Sequence, residues 1–555
     1  MRKSIADRIR EAVREAALKS GAVPEGELPQ IVVEKPRSPE HGDFSTNVAM
    51  LLSARAGRRP EDLAADIAAR IDKAAASLSD VEIQKPGFIN MRLSRDFLEE
   101  NLRVILTEAE DYGKSDFGGG EPVQVEFVSA NPTGPLNVVS ARAAAVGDSL
   151  VRLMKACGYD ARSEFFVNDS GTQVELLGLS LKARVEEALG RGEAKIPDQG
   201  YHGQYLADLA GEIPREKALE MLDDAGETSG RFSRFAVERM HEAQKSGLEA
   251  FGVRFDQWFR ESSLHTAGRV EETLKALRQS GLVYEKDGAL WLKTSGLGDD
   301  GDRVVRKSSG EPTYFLSDIA YHKNKFERGF KKVIDIWGPD HHGHVPRMKA
   351  AARALRYPED WLEVLIVQWV RLVRGTTPVS MSKRAGEFVT LSDLVSEVGT
   401  DCARFFFLMR RVESHLDFDL DLAKKQSDEN PVYYVQYAHA RVSSILEFAR
   451  EAGVGFCTLG EADLKLLQTP EEVAVMRELA NFPEYVRAAC ATREPQRITS
   501  YLTSVATALH QFYHHSRVVG TEQNLMQARL VLVRAVRTVI RNGLDLIGVS
   551  APDKM

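Results

Sequence analysis

Val123, Val125 and Phe127 alternate with Gln124 and Glu126, a two-residue period that predicts a strand. Asn131-Pro132-Thr133-Gly134-Pro135 then breaks any regular ladder. Beyond Ser140 the apolar positions Ala143, Val146, Leu150 and Leu153 fall at helical spacing. In an open α/β sheet a ligand sits at the carboxyl end of such a strand, and phosphate is favoured at the helix N-terminus that follows. Two more short apolar runs, Val333–Trp337 and Val364–Val373, predict buried parallel strands. The first leads into GPDHHGH and the second into the MSKRAG segment. Three chemically loaded segments behind three strand ends form the pattern of a binding crevice.

The rest of the chain divides around this core. Helical patterns over Ser4–Lys19 and Pro60–Ala75, with a strand-like VEIQKPGFINMRLS, predict an α+β domain over residues 1 to 118. Gly118-Gly119-Gly120 reads as a flexible joint. The core covers 119–425 and carries a charged, helical insertion at about 180–252. Within it, LVYEKDGALWLK sets Asp287-Gly288 between two apolar runs, a hairpin signal. From 426 to 555 helical periodicity dominates, which predicts an all-helical bundle.

Composition narrows the class without naming it. The 555 residues, 43% hydrophobic and 28% charged, describe a globular chain of about three or four domains. The N-terminus is charged throughout and lacks an apolar signal core, and no run of about 18 apolar residues suggests a membrane span, so the cytoplasm is expected. Cys157, Cys402, Cys457 and Cys490 lie far apart in sequence with no CxxC, indicating neither zinc nor a disulfide framework. A net charge of -8 does not by itself suggest RNA, although RNA answers to local patches rather than to the sum.

Motifs carry the argument further. SANPTGPL followed by Ala141-Arg142 and a small-residue helix resembles the first signature region of arginyl-tRNA synthetases. HGDFSTNVAMLL, GFINMRLS, FFVNDSGTQVELLG, PTYFLSDIAYHKNKF, IDIWGPDHHGHVPRMKAA, MSKRAGEFVTLSDL, VQYAHARVSSIL and NGLDLIGVSAP match the same family in order. The resemblance implies an α/β fold: a Rossmann-type class I synthetase catalytic core with an α+β N-terminal domain and an all-α C-terminal anticodon-binding bundle. It implies ATP-dependent activation of L-arginine to an adenylate, transfer to the 3′ end of a cognate tRNA, and magnesium travelling with ATP. Enzymes of this family generally require tRNA before they activate arginine. A monomer is expected, with tRNA, arginine and ATP as its partners and no membrane.

The resemblance also nominates residues. Glu126, Asn131, Tyr314 and Asp318 match the arginine pocket, and the four-residue spacing of Tyr314 and Asp318 puts both on one helix face. A guanidinium pocket must offer carboxylate acceptors, although Glu126 and Asp318 could instead be structural ion-pair partners. Pro135, Asn137, Ser140, Asp340, His341, Met381, Ser382, Lys383 and Arg384 match the ATP site, with Asn137, Ser140 and Lys383 in catalytic positions. Phe88 and Asn90 are candidates to hold an unpaired tRNA base, or else a core residue and a turn residue. Tyr437, Arg441 and Arg537 are the candidates on the bundle, with Tyr433 and Tyr434 as further stacking faces and Arg529, Arg534 and Arg541 on the same basic helix; such a run is also compatible with a solvated face.

Two departures stand out. Where the family has His-x-Gly-His, this chain reads Asn137-Val138-Val139-Ser140, and the usual lysine before Met381 is Ser380. Losing one preorganised donor costs on the order of 10²–10³ in rate, so a catalytically silent paralogue that binds tRNA or arginine is the alternative. Arg142, His341, His342 and His344 are the residues placed to compensate. A ligase joining arginine to something other than tRNA is a third reading, opposed by the full-length helical bundle.

Overall fold

The structure, a computed structural model, describes residues 4–36, 38–223, 228–379 and 389–555. The N-terminal part begins with helix Ile5–Lys19, capped by the Ser4 hydroxyl, which accepts from Asp7 N. Its sheet comprises β1 (Phe44–Thr46), β2 (Leu78–Gln84) and β3 (Phe88–Leu93), all antiparallel in the order β1-β3-β2. The segment expected to be strand-like is thus a hairpin, folded where Lys85-Pro86-Gly87 interrupts the alternation. The second helix ends at Arg70 rather than Ala75.

The catalytic core is a five-stranded parallel sheet of β4 (Pro122–Glu126), β5 (Asp160–Val167), β6 (Gln257–Arg260), β10 (Lys332–Trp337) and β11 (Leu362–Ile366), ordered β11-β10-β4-β5-β6. The strand order reverses between β4 and β10, and the crevice opens at their carboxyl ends. Helix Val138–Ala156 lies across the sheet so closely that a Cβ at Gly147 would sit 2.1 Å from the Phe127 ring. The predicted hairpin is β7 (Val283–Lys286) with β8 (Ala289–Leu292); Asp287 and Gly288 both take positive φ, as a type I′ turn requires, and β9 (Arg303–Arg306) completes that small sheet. The run Val364–Val373 is not one strand. It divides into β11 and β12 (Val370–Arg374), the latter pairing with β13 (Thr377–Pro378) and β14 (Leu416–Asp419) in a separate sheet.

The insertion begins earlier than its charge pattern suggested, with helices Thr172–Ala188, Gln204–Glu212, Arg215–Asp223 and Thr228–Ala250 around their own core, including Leu177, Leu181 and Phe232. The C-terminal bundle comprises Pro431–Glu451, Pro470–Ala480, Phe482–Thr492, Gln496–His515 and Gln523–Leu546. Among the described residues no helix is long and apolar enough to cross a membrane.

Long-range polar ties hold these parts together. Arg404 is fully buried; it reaches Asp148 below the signature loop, the Phe251 carbonyl behind the insertion (3.3 Å) and the Ile547 carbonyl at the bundle's end (3.0 Å). Helix Arg95–Glu108 leans on the bundle, Arg103 donating to the Leu459 and Ala462 carbonyls at 3.1 and 3.2 Å. The triple glycine is not a loose joint: Gly118 N and Gly120 N donate to the Cys157 and Gly158 carbonyls at 2.7 and 2.8 Å. Cys157 and Cys490, distant in sequence, meet side chain to side chain where the core touches the bundle.

Candidate active site

A cleft of about 370 Å³ opens above β4 and β10, lined by Glu126, Asn131, Asp318, Asp340 and His341 together with His344. Five residues nominated for the arginine and ATP sites therefore share one cavity with His344, nominated to compensate. Tyr314, Pro135, Asn137 and Ser140 are not among the residues that line it. Ser380, Met381, Ser382, Lys383 and Arg384 lie outside the described residues.

The floor is ionic. Glu126 ends β4 directly opposite Asp335 on β10, and Lys325, from helix Tyr314–Glu327, donates to both, to Asp335 at 2.7 Å. His322 bridges the Asp335 carboxylate and the Asp318 carbonyl, each at 2.8 Å. Burial pushes the Glu126 carboxyl above its usual range, and Asp335 adds to this against the pull of Lys325. Burial would also raise Asp335, but Lys325 and His322 overcome it and hold that group at about 2. Burial opposes the Lys325 ammonium, yet Asp335 and Glu126 outweigh it and keep it above the lysine range. Two buried carboxylates thus share one ammonium. Asp318 adds a third carboxylate on the wall, its Oδ2 3.0 Å from His344 Nε2. The balance of the cleft favours a cationic guest.

Backbone strain marks the same place. Val128 and Ser129 both take positive φ, 69° and 39°, costly for a β-branched residue. The kink turns Ser129 Oγ towards Glu126, to which it donates at 2.7 Å while accepting from Phe166 N at 3.1 Å. Glu126 therefore has both oxygens engaged, one by Lys325 and one by Ser129.

The signature loop is held from outside. Gln244, on insertion helix Thr228–Ala250, donates from Nε2 to the Asn131 and Gly134 carbonyls at 3.1 and 2.9 Å, and Tyr205 donates to the Thr133 carbonyl. Asn131 is exposed, with its amide on Gln173 at 2.6 Å. Asn137 Oδ1 caps helix Val138–Ala156, accepting from Val139 N and Ser140 N. Thr390 and Leu391 pair with Asn137 and Leu136. Tyr314 is exposed, and its hydroxyl lies 3.0 Å from where a Cβ at Gly171 would stand.

Arg142 does not compensate for the altered tetrad. It is fully buried, faces away from the cleft and donates to the Gln368, Arg411 and Ser414 carbonyls at 2.8–3.0 Å; burial brings it down to about 10. His341 and His342 remain exposed, whereas His344 is committed to Asp318. Lys325, Gln244 and Tyr205 had no role assigned from sequence, and His344 was placed only to compensate for the altered tetrad, not as the partner of Asp318. Only Lys325, one helical turn from Tyr321 and His322 and two turns from Asp318, left a readable trace.

On the tRNA side, Phe88 is half-buried, and Asn90 is buried with its amide on Ser45 (2.8 Å) and Gln84 (3.0 Å). In this conformation Gln84, not Asn90, reaches the surface. Tyr437 is exposed and stacks near Tyr433 and His510, and Arg441 covers the Tyr513 ring. Arg537 pairs with Asp553 at 2.9 Å. Arg529 is buried against Glu472 and is no part of a solvated basic face.

A doubly wound parallel core with an anionic cleft at its switch point, flanked by an α+β unit and a helical bundle, defines a class I synthetase architecture. Family models agree along the chain: arginyl tRNA synthetase N terminal domain over residues 3–93, tRNA synthetases class I (R) catalytic domain over 101–408, and DALR anticodon binding domain over 435–555. An arginine–tRNA ligase of Moorella thermoacetica is 47% identical, covering 97% of this chain and 96% of its own. That of Desulforudis audaxviator is also 47% identical, over 100% and 99%. A putative arginyl tRNA synthetase structure from Campylobacter jejuni superposes with a TM-score of 0.78 at 36% identity, covering 83% of this chain and 100% of that one. The Thermus thermophilus arginyl-tRNA synthetase shares the fold, with a TM-score of 0.76 at 22% identity over 98% and 99% of the two chains. The chain belongs to the arginyl-tRNA synthetase family.

Proposed function

We propose that this chain joins L-arginine to its cognate tRNA at the expense of ATP, using the cleft above β4 and β10. The observation that carries the reading is the carboxylate excess of that cleft, on a chain nearly half identical to arginine–tRNA ligases over its full length. Asp318 takes the substrate guanidinium, displacing His344, with Tyr314 as a neutral partner and Glu126 supplying negative potential through the network it shares with Lys325. Asn131 holds the amino-acid end. Nothing observed favours a silent paralogue.

In the reaction the arginine carboxylate attacks the α-phosphate of ATP, releasing pyrophosphate and leaving arginyl-adenylate. The terminal ribose hydroxyl of tRNA then takes the arginyl group and AMP departs. Positioning and charge stabilisation supply the rate, and no covalent nucleophile is required. Pro135, Asn137, Ser140, Asp340 and His341 border the nucleotide, and Lys383, with Met381, Ser382 and Arg384, covers the leaving phosphates. Magnesium travels with the ATP and shares the charge of its phosphates. Phe88, Asn90, Tyr437, Arg441 and Arg537 contact the tRNA, Asn90 only if β3 yields it from its present bonds. The working form is a monomer in the cytoplasm. Charging of total tRNA with labelled arginine, with lysine as control, tests the reading: ATP- and tRNA-dependent incorporation of arginine alone is expected, and tRNA binding without incorporation would overturn it.

A further inference from the structure

A second concave site lies away from the cleft, between helices Pro431–Glu451 and Gln523–Leu546 and the end of helix Arg95–Glu108. It encloses about 470 Å³ and gathers Arg450, Arg534, Arg537 and Arg541. Leu446 and Phe456 provide an apolar floor, with the Arg534 guanidinium 5.8 Å over the Phe456 ring.

The charges there do not balance. One carboxylate oxygen, Asp553 Oδ1, serves Arg537 and Arg541 at 2.9 and 3.4 Å, and it also accepts from Ser443. Arg450 pairs with Glu447. Among the described residues Arg534 has no carboxylate in ion-pair range, and Arg537 Nε is buried without a partner. Glu110 alone adds negative charge at the rim. This is a surplus of guanidinium on a chain of net charge -8. Clustered guanidiniums beside an aromatic floor suit a phosphate carried by a planar base, because the planar fork of arginine bonds phosphate oxygens in pairs.

The site is also distinct from the aromatic face of the bundle. Leu446 and Arg450 each follow Tyr437 and Arg441 by nine residues, which is half a turn around the same helix.

We propose that this groove is a phosphate seat, taking a nucleotide phosphate among Arg534, Arg537 and Arg541 with Phe456 beneath its base. Its source is a backbone phosphate of the bound tRNA, giving the bundle a second anchor across the Pro431–Glu451 helix from Tyr437. This rests on the reading that the chain binds tRNA.

The test compares wild type, R534Q/R541Q and R534K/R541K in filter binding of tRNA across a salt series, with melting curves to confirm folding. The glutamine pair weakens binding several-fold at low salt and makes the slope of log K against log salt shallower by about 0.7–0.9 per phosphate lost, while the lysine pair keeps the slope. An unchanged slope, with calorimetric binding of pyrophosphate present in wild type and lost in the glutamine pair, retains the seat and assigns it to a free polyphosphate. Unchanged slope and unchanged pyrophosphate binding overturn it. Arginine charging by the wild type, run alongside, reports separately on the proposed function.

Discussion

Asn137 Oδ1 accepts the Ser140 backbone N–H at 3.0 Å, so the first residue of the altered tetrad caps the helix whose first turn holds the other three. The side chain therefore has a structural duty as well as a position beside the proposed ATP site. The two are separable. Asn137→Ala removes the cap and costs about 0.5–2 kcal/mol of stability. Asn137→Asp caps equally well and leaves the melting temperature nearly unchanged, but it sets a negative charge beside the phosphates. The KM for ATP then rises at least about tenfold. An unchanged ATP KM in the aspartate variant would remove the tetrad from the nucleotide site.

Asp318→Asn tests the guanidinium assignment. The amide keeps the shape and loses the charge, leaving a buried cation without its closest counter-ion, at a cost of about 2–5 kcal/mol in kcat/KM for arginine. The loss falls mainly on arginine KM in steady-state charging. Full activity in this variant would sink the pocket assignment.

Lys325 is the only ammonium between Glu126 and Asp335 in the described floor. Lys325→Met leaves two carboxylates facing each other in a buried site and destabilises the fold by about 3–5 kcal/mol, read as a drop in denaturant midpoint. Adding Asp335→Asn removes the repulsion and recovers part of the loss. A double variant no more stable than Lys325→Met would show that the network is not held by charge.

Asp335 also sets an acid limit. Its folded pKa, about 2, lies below the ordinary 3.8, so its contribution is fully present above the ordinary value and disappears as the pH falls towards 2. The contribution is about 2 kcal/mol. Urea midpoints measured down this range should fall more steeply for the wild type than for Asp335→Asn. Parallel curves would contradict the shift.

Gln244 ties the signature loop to the insertion through two carbonyls, Asn131 and Gly134. Gln244→Ala leaves those acceptors without their donor, at about 1–3 kcal/mol, and loosens a loop on which substrate alignment depends. Adenylate formation is expected to slow by roughly tenfold or more while the tRNA affinity is unchanged. A variant with normal kinetics would make the insertion a passive appendage.

Much of this was legible in the chain. The two-residue period around Val125, the helical spacing after Ser140 and the Asp287-Gly288 turn all became the predicted elements, because local period and turn chemistry decide such features within a few residues. The run Val364–Val373 failed as one strand because nothing local marks where a chain leaves one sheet for another. Arg142 was misjudged for a related reason: a helix start shows that a residue is near the loop, but not which side of the helix is buried under three carbonyls.

The sequence by itself determined the elements, their division into an α+β unit, a parallel core and a helical bundle, and the residue types that a cationic substrate demands. Only the tertiary structure decided their company. It set Lys325 between Glu126 and Asp335, turned His344 onto Asp318, carried Gln244 from the insertion to the signature loop, and brought Cys157 to Cys490. These pairs are separated by 10 to more than 300 positions, and their contact depends on sheet order and domain packing, which no short-range pattern encodes.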